Sequence, residues 1–163
     1  MIGLALVAAL AMGPDTPVLP ENPCDLIAPA DLAVVGQLVV VPGRRVPGKL
    51  ESVGPRDAQR NPPGGSICVF GSGPEFGEIM VAVAPRAERR AAKYWQARES
   101  YFRAYTRSGR PVPGVGQDAW LGGGTSLHVL IRDDEYFTLT TQYYQPESGE
   151  LLTKIAKFIV SKF

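Results

Sequence analysis

The sequence holds one histidine, two cysteines and no apolar run long enough to cross a bilayer. Each scarcity excludes something. Two cysteines and one histidine cannot complete a structural metal site unless carboxylates join them. The longest apolar run, Ile2 to Met12, falls short of the about 20 residues that a membrane helix needs. A net charge of +1 gives no global attraction to nucleic acid. No Gly-Lys-Ser/Thr phosphate loop and no nucleophile elbow occurs, and Arg132-Asp133-Asp134-Glu135 lacks the spacing of a calcium loop. What is present is ordinary for a folded domain. Hydrophobic residues make up 45% and charged residues 20%, so disorder is not expected. A chain of 163 residues can build one domain with a real core.

The run Ile2–Met12 fits the apolar region of a secretory signal peptide. Ala9-Leu10-Ala11 places small residues where a signal peptidase reads, so residues 1–11 are assigned as a signal peptide. The competing reading is a buried N-terminal helix. Residues 12–23 are Pro-rich and expected to be extended. Residues 24–163 then form a single domain. In an exported chain Cys24 and Cys68 are most simply a disulfide. In a cytosolic one they are two separate thiols. Glu21-Asn22-Pro23 does not match the small and aliphatic residues that precede a lipidated cysteine.

Pro29 suits a first helical turn and Gly36 a helix end, giving a short helix that buries Leu32 and Val35. Residues 42–66 are rich in Pro and Gly and are expected to form a mobile, irregular surface loop. Segments 66–71 and 78–85 read as strands. The second alternates Ile79, Val81 and Val83 against Met80, Ala82 and Ala84. A long helix is expected from about Arg86 to Thr106, with Ala87, Ala91, Tyr94, Trp95, Tyr101, Phe102 and Tyr105 on one stripe. Further strands are expected at "AWLGG" (119–123), "TSLHVLIR" (125–132) and "EYFTLTTQYY" (135–144), the last two joined by a tight acidic turn. A final helix, about Glu147 to Ser161, aligns Leu151, Leu152, Ile155, Phe158 and Ile159. These elements predict an α+β fold. The sheet is mainly antiparallel, a long amphipathic helix and a C-terminal helix pack on it, and a strand-pair-plus-helix pattern occurs twice.

No residue set supports catalysis. His128 alternates with Leu127 and Val129 and so lies on the opposite sheet face from them. A hydrolytic site from His128, Asp118 and a serine has no supporting frame. Leu121-Gly122-Gly123-Gly124-Thr125-Ser126 precedes a strand rather than a helix and reads as a connection. Residues 86–110 carry eight Lys or Arg against two Glu, a local balance of +6. That face either is solvated or meets an anionic ligand. Arg98 projects into the aromatic stripe and needs an anion, a route to water or a carboxylate such as Asp118. The binding residues expected from this pattern are Arg98, Trp95, Tyr94, Tyr101 and Tyr105. They would line a cleft near residues 111–120. No cofactor and no metal is expected.

The stretch "PVPGVGQDAW" (111–120) reads as a structural joint. Pro113-Gly114 suits a tight turn with positive φ at the glycine, and Gly116 permits a bend or close backbone contact. Ala119-Trp120 then enters a strand. "PCDLIAPADL", "GSICVF" and "VPGVGQDAW", in this order, resemble a family of exported bacterial domains of unknown function, abundant among actinobacterial envelope lipoproteins. The resemblance spans about residues 23–160. It implies an α+β fold and a Cys24–Cys68 disulfide, and it supplies no activity. The expected role is a non-enzymatic binding or accessory protein of the cell envelope, secreted or periplasmic, with an envelope component or a protein as partner. The alternatives are an inhibitor or immunity-type protein and, more remotely, a small hydrolase.

Overall fold

The computed structural model describes residues 17–47, 66–83, 109–132 and 135–163. Seven strands form one antiparallel sheet: β1 (Arg44–Pro47), β2 (Ser66–Gly71), β3 (Glu78–Val83), β4 (Arg110–Pro111), β5 (Asp118–Gly122), β6 (Ser126–Arg132) and β7 (Glu135–Thr141). Their order across the sheet is β1-β2-β3-β7-β6-β5-β4. Among the described residues two helices, α1 (Pro29–Gly36) and α2 (Ser148–Val160), and a short 3-10 turn at Pro23–Asp25 accompany the sheet, giving an α+β fold.

Alternation decides the layers, because successive strand residues point to opposite faces. One face carries Cys68, Phe70, Ile79, Val81, Ala119, Leu121, Leu127, Val129, Phe137 and Leu139 into the main core. Helix α2 closes this face with Leu151, Leu152, Ile155, Ala156 and Ile159, and α1 adds Leu32. The stripe expected on the last helix is therefore the buried one, with Phe158 packed at its margin. On the second face the register aligns Trp120, His128, Thr138, Ala82 and Ile67 across five strands. His128, Thr138, Ala82 and Ile67 are buried there, as are Val69 and Leu130, so the sheet centre is closed on both sides.

Cys24 and Cys68 form a disulfide, with Cα atoms 4.9 Å apart. It ties the 3-10 turn to β2 in the middle of the core. The chain before that turn is held by the far end of the β6–β7 pair. Glu135, buried despite its charge, accepts a 2.8 Å hydrogen bond from the Leu19 amide. The Arg132 guanidinium donates to the Pro17 carbonyl. No helix among the described residues is long and apolar enough to cross a membrane.

Several boundaries differ from the sequence reading. Residues 44–47 lie in the segment expected to be irregular, yet they pair with β2 from Arg44↔Val69 to Pro47↔Ser66. Two residues, Arg110 and Pro111, form a strand that no periodicity can mark. β7 ends at Thr141 rather than 144, because the Gln142 and Tyr143 amides turn to the Glu78 and Phe76 carbonyls. Gln37, not a glycine, takes the left-handed cap after α1, at φ 54°. The expected signal peptide (1–11), residues 12–16 of the Pro-rich segment (12–23), the rest of the expected loop (48–65) and the long amphipathic helix lie outside the described residues. So does the first of the two expected strand-pair-plus-helix units in its helical part. The second is present as β6, β7 and α2.

Candidate functional site

The stretch 111–120 is a hairpin connection between the edge strand β4 and β5. The Val112 amide donates to the Ala119 carbonyl at 2.9 Å, and the Gln117 amide to the Leu130 carbonyl at 2.8 Å. Gly114 has φ +74° and Gly116 φ +62°, values that favour glycine. A methyl at Gly116 would stand 2.5 Å from the Leu130 carbonyl oxygen, so this glycine lets the loop lie against β6. Val112 and Val115 turn inward to the main core, as does Ala119. Trp120 faces the other side of the sheet and is half-buried.

Beside this hairpin opens a groove of about 570 Å³. Its floor is Val112 and Leu121, and its walls are Arg110, Tyr144, Pro146 and the first turns of α2. The close approach of helix to sheet depends on Gly149. A Cβ there would meet Leu121 Cδ2 at 2.7 Å and would lie 3.8 Å from an Arg110 guanidinium nitrogen. The guanidinium thus sits against the start of α2, where it has no hydrogen-bond or ion-pair partner among the described residues. Tyr144 is 64% exposed, and its ring lies over Gly124 at the opposite wall. Thr153 is turned inward, its hydroxyl donating to the Gly149 carbonyl at 2.7 Å.

A second, smaller hollow of about 160 Å³ lies on the other side of the same helical turns, between α1 and α2. Val35, Phe76 and Leu151 are its apolar walls, and Glu147, Glu150 and Lys154 its charged ones. Helical geometry explains the division. Positions 149 and 153 share one stripe, while 147, 150, 151 and 154 share the next. Glu150 stands between them and lines both hollows. It pairs with Lys154 at 2.8 Å, and that hydrogen bond and charge hold its carboxyl below the usual glutamate range.

The expected binding residues Arg98, Trp95, Tyr94, Tyr101 and Tyr105 lie outside the described residues. Of the basic stretch 86–110, the described end is Gly109 and Arg110, and Arg110 lines the groove beside the 111–120 hairpin. The sequence reading did not single out Tyr144, Pro146, Gly149, Glu150 or Thr153. The one local sign was Gly149, a poor helix former in a first turn, which marks a close approach. His128 and Asp118 project from the same sheet face, one register step apart on β6 and β5. His128 is 5% exposed there. Among the described residues no three His, Cys, Asp or Glu side chains gather as metal ligands. Comparison with family models, with curated proteins and with solved structures finds no match for this chain.

Proposed function

We propose that the protein is an exported, non-enzymatic binding or accessory module of the bacterial cell envelope, and that the groove between β4–β5 and α2 is its ligand site. The observation that carries the reading is the Arg110 guanidinium, without a partner among the described residues, at the mouth of a groove with an apolar floor. A volume of about 570 Å³ is in the range of small-molecule sites, which combine apolar walls with a few placed polar groups. A planar donor fork suits a carboxylate or phosphate. Export is supported by the N-terminal apolar run together with a disulfide, which persists in oxidising compartments.

Amide-resolved NMR of the protein titrated with hexanoate and with inorganic phosphate tests the site. At low salt the shifts are expected to cluster at Arg110, Leu121, Tyr144 and Thr153, and to fade as ionic strength rises. Arg110→Gln should remove them while the rest of the spectrum stays in place. Shifts that avoid the groove for both probes, or that survive Arg110→Gln, overturn the assignment. A blocking role towards a protein partner has one observation in its favour. Val34, Val39 and Val41 are 78%, 84% and 59% exposed around the end of α1. Co-purification of one stoichiometric protein, lost on Val39→Asp, would decide for that role.

A further inference from the structure

We infer that the groove and the smaller hollow beside it together take a small zwitterion, an acidic group and an amine joined by an apolar spacer, laid across the first turns of α2. The inference rests on the groove being the ligand site. Its basis is the pairing of two hollows with opposite unpaired charges. Arg110 lines the larger, and its guanidinium has no partner among the described residues. Glu147 lines the smaller, and its carboxylate likewise has no side-chain partner among the described residues. The charges between them cancel locally, because Glu150 is satisfied by Lys154. A simple anion would meet Arg110 and leave Glu147 idle. A ligand with both charges satisfies both ends.

The walls favour the same shape. Val112, Leu121 and Pro146 are apolar along the larger hollow, and Val35, Phe76 and Leu151 along the smaller. A methylene spacer is covered at both ends by such walls, while the charged groups stay at the wet rims. The two charged side chains sit on opposite flanks of one helix, whose width with side chains is about 10 Å. The Arg110 guanidinium lies beside Gly149 on one flank, and a chain of about five methylenes with a charged group at each end spans a width of that order. Amino acids with a terminal amine and short peptide ends have this chemistry.

The experiment compares ε-aminohexanoate, hexanoate and hexylamine by amide-resolved NMR titration at low salt. The zwitterion should bind about tenfold more tightly than either singly charged probe, equivalent to about 1.4 kcal/mol. Its shifts should extend from Arg110 and Leu121 to Glu147 and Leu151. Glu147→Gln should bring the affinity for ε-aminohexanoate down to that for hexanoate and leave hexanoate binding unchanged. Glu147→Gln, like Arg110→Gln, alters an exposed side chain, and the unperturbed remainder of the spectrum reports an intact fold. Equal binding of ε-aminohexanoate and hexanoate, or a Glu147→Gln variant with no effect, overturns the zwitterion and leaves the groove in place as an anion site. Shifts that avoid the groove for all three probes overturn both.

Discussion

An added methyl has nowhere to go at Gly116. It would stand 2.5 Å from the Leu130 carbonyl oxygen and 3.2 Å from its carbon, and both are backbone atoms held in the β6 ladder. The residue is also left-handed, at φ +62°. Two residues earlier, Gly114 has φ +74° but no atom within 4 Å of a Cβ. The two glycines separate conformational strain from steric conflict. Gly114→Ala should cost about 1 kcal/mol, the left-handed penalty alone. Gly116→Ala adds displacement of the loop and should cost about 3 kcal/mol. Urea unfolding of the two variants measures the difference, and equal midpoints would show that the loop yields freely. Both glycines were legible as turn residues from "PGVG". That only one of them touches β6 was not, because Leu130 is distant in sequence.

The elements fall into two kinds. β2, β3, β6, β7 and α2 have a clean period, two for the strands and 3.6 for the helix, and their buried faces match it. Helix α2 is the clearest case. Leu152, Ile155 and Ile159 are fully buried, while Glu150, Lys154 and Lys157 are exposed. Ile155→Ala should therefore cost about 3 kcal/mol through lost transfer energy and a cavity. Lys157→Ala, on the outer face, should change stability by no more than about 0.5 kcal/mol. Thermal or urea unfolding distinguishes them; equal effects would mean that α2 does not seal the main core. β1 and β4 are the second kind. Arg44-Arg45-Val46-Pro47 and Arg110-Pro111 have strand identity only because a neighbour supplies hydrogen bonds. Their composition suits an edge, where proline and charge block further pairing.

At the scale of the molecule, the sheet joins its two halves through β3 and β7, which pair from Ile79↔Thr141 to Val83↔Phe137. The chain ends of the described fold are secured separately. Cys24–Cys68 anchors the N-terminal turn to β2, and Lys162 reaches Asp31 at 3.4 Å to link the C-terminus with α1. The disulfide spans 44 residues and removes loop-closure entropy from the unfolded chain. Replacing both cysteines by alanine should cost about 4 kcal/mol, since a loop of this length lies in that range of the chain-entropy model. The comparison needs only the urea midpoints of the two proteins. An unchanged midpoint would mean that packing around Leu19, Leu26 and Ile27 holds the turn without the bond.

The sequence by itself determined what depends on near neighbours. Alternation over 66–71, 78–83, 126–132 and 135–141 makes strands, and the repeat of Leu151, Leu152, Ile155 and Ile159 makes a helix. Two cysteines leave one possible intrachain pairing, the bond between Cys24 and Cys68. Tertiary structure alone decided what depends on distant partners. Arg110 became a groove residue only when Gly149 let α2 close on Leu121, and Glu147 became its counterpart only because α1 and Phe76 hollow the far side of the same turn. Glu135, a charge in an apparent surface turn, became a buried anchor for the Leu19 amide. Periodicity records which way a side chain points relative to its own element. It holds no record of which remote segment arrives in front of it, and both the edge pairing and the groove are made of such arrivals.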